Sequence, residues 1–199
     1  MSDADMKLPV LEVRVDSVSE FIVCWSRLYH DPLEALYTEN IGHPLTPSRI
    51  DALFRWKNGG KISEKKADSI HKHYHTAPER LEEVGDHSSV TRLLESIGGG
   101  GVIWGIFMLH IWRPARYPIY DQHVHRAMRI LQGNEVDELE GMPDQKKREH
   151  YIDDYMPFWK THFSHEDHRT VDKALWAFGK AMKRPSGAGL NWFTMLAAE

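Results

Sequence analysis

The sequence contains one cysteine, Cys24, in 199 residues. A single thiol cannot form an internal disulfide, and it cannot supply the four thiolates that hold an iron–sulfur cluster. No apolar run approaches the ~20 residues of a membrane span, and the first residues lack the basic and then apolar order of a secretory signal peptide. These absences predict a cytoplasmic protein that has no iron–sulfur cluster and no membrane partner.

An excess of positive charge is also missing. The 25 Lys and Arg residues stand against 29 Asp and Glu residues, which gives a formal net charge of −4. This balance counts against DNA as a partner, because DNA-binding proteins draw much of their affinity from neutralised phosphates. Residues 102–134 nevertheless hold four arginines and one acid. We interpret the basic cluster at residues 55–61 as a solvated loop, although its tryptophan or asparagine could instead contact unstacked DNA. We interpret the acidic segment 135–140 as a solvated connector.

Hydrophobic residues make up 41% of the chain, and most of the apolar ones repeat at helical spacing. Val171, Leu175 and Phe178, for example, step by 4 and then 3 residues along one helix face. Only residues 8–15 resemble a β-strand, and one strand cannot make a sheet. The sequence therefore predicts an all-α fold, organised as one domain over residues 1–199.

Four consecutive glycines interrupt the helical pattern. Each glycine would cost about 1 kcal/mol relative to alanine inside a helix, so the run predicts a turn between two helices over residues 90–112. The backbone N–H groups of such a turn, and those of the helix that follows, attract anions such as a DNA phosphate. A corner whose glycines only let two helices approach closely is an equally good interpretation. The four residues are Gly98, Gly99, Gly100 and Gly101.

An isolated carboxylate follows the second of these helices. Residues 113–118 contain two prolines and break the helical periodicity. Asp121 then precedes apolar residues at helical spacing, which predicts that it lies at a helix start within residues 117–131. Asp is a favoured N-cap that stabilises a helix by ~1 kcal/mol. This structural role is enough to explain Asp121 without any chemistry.

Together, the glycine turn and the Asp121 segment resemble the helix-hairpin-helix superfamily of DNA base-excision glycosylases, in particular the endonuclease III and adenine-mismatch glycosylase group. The hairpin of that family reads Leu-Pro-Gly-Val-Gly-x-Lys/Ser-Thr-Ala. When the two are laid together without gaps, Ile97 takes the leucine position and Gly105 the alanine position. Gly99 and Gly101 take the two glycine positions. Asp121, sixteen residues beyond Gly105, then falls on the family's catalytic Asp.

The resemblance continues beyond this carboxylate. His123, Val124 and Arg126 reproduce the family pattern Asp-x-His/Asn-Val/Ile-x-Arg. The similarity is good over residues 90–131 and extends more weakly over residues 45–182.

The resemblance implies a two-lobed helical fold that hydrolyses the N-glycosidic bond of a damaged or mismatched base in double-stranded DNA. It makes Asp121 the catalytic carboxylate, which would stabilise the positive charge that builds on the sugar. An extruded base needs a pocket with aromatic walls. Trp25, Tyr29, Trp56 and Trp104 are available for it, but membership of the core explains each of them better. The resemblance and the local charge together place on DNA the residues Gly98, Gly99, Gly100, Gly101, Arg113, Arg116, His123 and Arg126.

Two departures from the family limit the expected chemistry. Ile103 occupies the position where bifunctional members place a lysine, and an alkyl side chain cannot form the Schiff base of a lyase step. The single cysteine cannot hold the family's iron–sulfur cluster. We therefore expect a monofunctional glycosylase that needs no cofactor and no metal.

Two other functions remain open. A DNA-binding module could keep the glycine turn without catalysis, and the acidic overall charge favours this interpretation. A metalloenzyme is suggested by the 13 histidines, which include the pairs His71 with His75 and His165 with His168 at helical spacing. Neither pair completes a metal-binding pattern, so we expect surface or core histidines at these positions.

Overall fold

The computed structural model describes residues 17–82 and 84–183. Within these residues every regular element is helical, which confirms the predicted all-α fold. The elements are α1 Val18–Ser26, α2 Glu34–Thr38, α3 Pro47–Lys57, α4 Glu64–His73, α5 Ala77–Leu81, α6 His87–Ser96, α7 Val102–Trp112, α8 Gln122–Leu131, α9 Asp144–Glu149, a π-helical segment His150–Tyr155, α10 Met156–Phe163 and α11 His168–Ala181. The strand expected at residues 8–15 lies outside the described residues. None of the described helices is long and apolar enough to cross a membrane.

Side-chain caps fix where several helices begin. The hydroxyl of Ser17 caps α1 and the hydroxyl of Thr46 caps α3. Asp86 and Ser89 form a reciprocal capping box at the start of α6. Each cap satisfies N–H groups that have no partner within the helix and stabilises that helix by ~1 kcal/mol.

Helix α7 is the most deeply buried of these elements. Residues 105–111 are all buried, as its apolar character on every side predicts. The polar side chain in this stretch, His110, has its Nδ1 2.8 Å from the Tyr117 carbonyl oxygen and its Nε2 2.7 Å from the Tyr37 hydroxyl. Burial lowers the pKa of His110 to about 3. The ring is therefore neutral, so that Nδ1 donates to the carbonyl and Nε2 accepts from the hydroxyl.

Helices α8 and α11 pack closer together than most side chains would allow. A Cβ atom on Gly179 of α11 would lie 1.9 Å from the backbone oxygen of His123 on α8. Glycine fits because it has no side chain. The contact holds α11 against the first turn of α8, beside Asp121.

We predict that Gly179→Ala destabilises the protein by about 1–3 kcal/mol, because the added methyl group forces the two helices apart. Gly85→Ala is the matched control, since a Cβ there meets nothing within 4 Å and Gly85 has no positive φ. Urea unfolding of both variants measures the difference. Equal stability of the two would show that α8 and α11 do not approach this closely.

Candidate functional site

A cleft of about 120 Å³ lies where the end of α3, the start of α8 and the middle of α11 meet. Its lining combines aromatic rings with charged side chains, which is typical of ligand-binding pockets. The residues that matter here are Tyr29, Trp56, Lys57, Asp121, Asp172 and Trp176. The candidate catalytic carboxylate predicted from the sequence, Asp121, is thus part of a cleft and does not simply face bulk solvent.

Asp121 is held in place by both of its carboxylate oxygens. Oδ1 accepts hydrogen bonds from the backbone N–H groups of His123 at 2.9 Å and Val124 at 3.1 Å, which confirms that Asp121 begins α8 as its N-cap. Oδ2 accepts a hydrogen bond from Lys57 Nζ at 3.3 Å. The Asp121 side chain is 19% exposed. The carboxylate is therefore fixed in orientation and still reachable from the cleft.

The charge state of Asp121 follows from these contacts. Burial by itself would raise the pKa of this carboxyl group, but the Lys57 ammonium, the His123 ring and the helix N–H groups outweigh that effect and lower the pKa. The N-terminal end of α8 acts in the same direction. Asp121 is consequently ionised at neutral pH.

The position of Lys57 differs from the one that we predicted from the sequence. We expected the basic cluster at residues 55–61 to be a solvated loop, but Lys57 lies in the last turn of α3 and its side chain is only 9% exposed. Its Nζ lies 5.6 Å from the centre of the Phe107 ring on α7. The expectation of a solvated loop is wrong for this residue, because the ammonium turns inward to pair with Asp121.

A second carboxyl group, Asp172 of α11, lines the same cleft. It is buried, and its Oδ2 accepts a hydrogen bond from Arg169. Its Oδ1 has no hydrogen-bond partner among the described residues. Burial raises the pKa of Asp172 to about 6, and the nearby charge of Asp121 adds to this, against the opposing effects of Arg169 and Lys57. The pKa values of Asp121 and Asp172 are therefore shifted in opposite directions.

Aromatic rings form part of the cleft wall. The rings of Tyr29 and Trp176 meet edge to face, with centroids 5.2 Å apart. Trp56 completes the aromatic lining, and its buried Nε1 lacks a hydrogen-bond partner among the described residues. Of the four aromatic residues available from the sequence, Tyr29 and Trp56 line the cleft. Trp25 instead packs against Phe178.

The four glycines form the expected turn between α6 and α7. Three of them, Gly99, Gly100 and Gly101, have positive φ angles of 84°, 76° and 76°. The turn is tightly packed: a Cβ on Gly98 would approach the His73 ring to 2.8 Å. None of these glycines is among the residues that line the cleft.

The N-terminus of α7 already has an anionic partner. The backbone N–H of Val102 donates to Asp144 Oδ2 at 3.2 Å, and Lys147 Nζ lies 3.3 Å from the other oxygen of the same carboxylate. Asp144 is exposed at 54% of its side chain. An anion that binds at this helix end would therefore compete with Asp144.

The predicted DNA-contacting side chains fall into two groups. Arg113 and Arg116 are exposed, and the Arg113 guanidinium stacks on Trp112 at 3.9 Å from the ring centre. His123 is half-buried against Trp176, with ring centroids 5.1 Å apart.

Arg126, by contrast, is 2% exposed. Its guanidinium donates to both carboxylate oxygens of Glu138, at 2.8 and 2.6 Å, and to the Gly179 carbonyl oxygen at 2.6 Å. We therefore correct the assignment of Arg126 to DNA. The N–H groups of this side chain already have acceptors within the protein, so that Arg126 serves the packing of α8.

The histidine pairs form no metal-binding group. In residues 17–82 and 84–183, no three His, Cys, Asp or Glu side chains are grouped so that they could hold a metal ion. His75 Nε2 lies 2.8 Å from Asp51 Oδ1, and the ring of His168 packs edge to face on Trp159. His75 and His168 thus have contacts within the protein.

Comparison with protein-family models, with curated proteins and with solved structures gives no match for this chain. The basis for a functional assignment is therefore the cleft itself. Lys57, Asp172 and Trp176 line this cleft but were not predicted as site residues. The sequence does contain a signal for Asp172. It is an acid between Val171 and Leu175 on the apolar face of an amphipathic helix, where charged side chains are rarely buried unless they are paired.

We predict that Lys57→Met raises the pKa of Asp121, because the variant removes the ammonium group that stabilises the carboxylate. The ion pair contributes stability above the pKa that Asp121 has in the unfolded chain, and this contribution is lost as the pH falls through the lowered pKa of the folded state. The variant should therefore be less stable by about 1.5–3 kcal/mol at neutral pH. The difference should shrink in acid.

Carbon-13 NMR titration of the Asp121 carboxyl group and urea unfolding at two pH values measure these effects. Lys61→Met is the control, since Lys61 is exposed and does not line the cleft. An unchanged Asp121 pKa in Lys57→Met would contradict the described ion pair.

Proposed function

We propose that this protein is a monofunctional DNA glycosylase, which hydrolyses the N-glycosidic bond of a damaged or mismatched base with Asp121 as its catalytic carboxylate. The observation that carries the proposal is the ionised, oriented carboxylate of Asp121 inside an aromatic cleft. The resemblance of residues 90–131 to the helix-hairpin-helix glycosylases agrees with it.

The chemistry requires a negative charge beside the sugar. Breaking the bond between C1′ and the base builds positive charge on the sugar ring, and a fixed carboxylate stabilises that charge and can orient the attacking water. The backbone N–H groups bind Oδ1 of Asp121, and Lys57 binds Oδ2. The carboxylate does not need to reorient during the reaction, which is what makes such a charge effective.

The aromatic lining suits an extruded base. Enzymes that act on a base inside a duplex flip it out of the stack and hold it against aromatic or apolar side chains. Tyr29, Trp56 and Trp176 provide such surfaces in the same cleft as Asp121. Exposed Arg113 and Arg116 are the side chains that we assign to the DNA backbone.

A non-catalytic DNA-binding module is the second candidate. It is favoured by the bonds of Asp121, because its N-cap contacts and its ion pair with Lys57 give this carboxylate a complete structural role. In that case the cleft would hold no reacting group. Activity of the Asp121 variant separates the two candidates.

We predict that Asp121→Asn lowers the rate of base release by about 10²–10⁴-fold while duplex binding persists. Asn is an equally good N-cap, so that α8 still forms, but the amide carries no negative charge. The measurement is abasic-site formation on a panel of duplexes that carry uracil, hypoxanthine, 8-oxoguanine, or adenine opposite 8-oxoguanine.

Asp167→Asn is the matched control, because Asp167 is the N-cap of α11 and does not line the cleft. If the parent protein binds duplexes but releases no base from the panel, the non-catalytic module replaces the glycosylase. The same reactions quenched with borohydride should give no cross-link, because the Lys57 amine is paired with the Asp121 carboxylate. A cross-link that Lys57→Gln abolishes would make the enzyme bifunctional.

Duplex binding itself should weaken with salt, because the contacts to phosphate release counterions. We predict that Arg113→Ala lowers the affinity and reduces the slope of log affinity against log salt by about 1. Arg27→Ala, which removes an exposed arginine at the end of α1, should have little effect. Fluorescence anisotropy at several salt concentrations measures both. An affinity that does not change with salt argues against DNA as the partner.

A further inference from the structure

Asp172 is a carboxyl group of the cleft that the mechanism above leaves unused. It sits on α11 and lines the same cleft as Asp121. Only 5% of the residue is exposed. Charged groups are seldom buried without a partner, since burial of an isolated charge is costly. The ion pair with Arg169 accounts for one oxygen of Asp172 and leaves the other without a partner among the described residues.

The two oxygens of Asp172 are in different situations. Oδ2 accepts a hydrogen bond from Arg169, whereas Oδ1 is buried with no hydrogen-bond partner among the described residues. Arg169 also donates to both carboxylate oxygens of Glu34, so that its charge is shared between two acids. Buried polar atoms are nearly always hydrogen-bonded. Oδ1 therefore either carries a proton or can bind an atom of a ligand.

The surroundings of Asp172 favour its protonated form, because burial outweighs the charge of Arg169 beside it. On its own helix it pairs with Arg169, and it interacts electrostatically with Asp121 and Lys57, which line the same cleft. Burial is the largest influence and raises the pKa of Asp172 to about 6. The titratable and charged groups that interact with it from the other elements are Glu34 and Tyr37 of α2, Lys57 of α3, Asp121 before α8, and Tyr155 of the π-helical segment.

Asp121 and Asp172 thus have different roles available to them in the same cleft. Asp121 is an anion whose charge is fixed by Lys57, and Asp172 is the group that can carry a proton. Hydrolysis of a glycosidic bond generally uses such a division, in which one acid protonates the leaving group and one carboxylate serves the sugar.

We propose that Asp172 is the catalytic acid of this cleft, and that its Oδ1 donates a proton to the base as the base leaves. This inference rests on the proposed glycosylase function and deepens it. A base that leaves as an anion is a poor leaving group, so the substrates it selects are bases that need a proton to depart, with a ring nitrogen or carbonyl oxygen as acceptor.

One turnover conserves atoms and charge. The proton moves from Asp172 to the base while the bond between C1′ and the base breaks, and the electron pair of that bond goes to the base. The positive charge left on the sugar is stabilised by the Asp121 carboxylate. Water then adds to C1′ and returns its proton to Asp172. The products are the free base and an abasic site, and no oxidant or reductant is required.

The test is the pH dependence of base release by the parent protein, on whichever duplex of the panel it processes. We expect kcat to fall as the pH rises through about 6, because Asp172 must be protonated to donate. We expect Asp172→Asn to lower kcat by about 10²–10⁴-fold, to leave KM nearly unchanged and to remove this limb from the profile. Asp153→Asn, which changes a carboxyl group with 59% exposure, is the control.

The possible outcomes separate this role from the proposed function. If Asp172→Asn releases base as fast as the parent, or if the parent's kcat shows no loss above pH 6, Asp172 is not the acid and the glycosylase assignment stands. If Asp172→Asn raises KM and leaves kcat and its pH profile unchanged, Oδ1 holds the base and donates no proton. If the parent releases no base, the proposed function fails and takes this role with it. The parent's profile needs no variant, so that a folding defect cannot hide the answer.

Discussion

The ion pair between Lys57 and Asp121 connects three parts of the fold at one point. Lys57 ends α3, its ammonium lies near the Phe107 ring of α7, and its partner begins α8. Each charge depends on the other, because a largely buried ion without its partner costs far more than the pair gains. The pair therefore fixes the orientation of α8 and, in the same contact, the ionised state of the cleft.

The close contact between α8 and α11 completes this arrangement. Gly179 lets the backbones of the two helices approach, and the Arg126 guanidinium fastens its carbonyl oxygen to α8. Asp172 lies seven residues before Gly179, which is about two helical turns, so that both residues face α8. The close approach that Gly179 allows thus holds Asp172, about two turns earlier on α11, toward the cleft.

Local features of this protein could be predicted from the sequence, and long-range ones could not. The N-cap role of Asp121 and the turn at Gly98 to Gly101 follow from the conformational preferences of single residue types. The inward turn of Lys57 depends on a partner 64 residues away, and the burial of Arg126 depends on Glu138 and on Gly179. No spacing rule encodes such contacts, because they exist only after the helices have packed.

The acidic segment at residues 135–140 also acquires a role that its composition hides. We expected a solvated connector, but Asp137 pairs with Arg129 at 3.1 Å, and Glu138 binds Arg126 with both oxygens. The connector is thus the counter-charge of α8 and cancels most of the positive excess that residues 102–134 show in isolation. Long-range electrostatic attraction accelerates the capture of a polyanion only when such an excess is left uncompensated. With Arg126 and Arg129 paired inside the protein, this part of the chain offers a polyanion little attraction at long range.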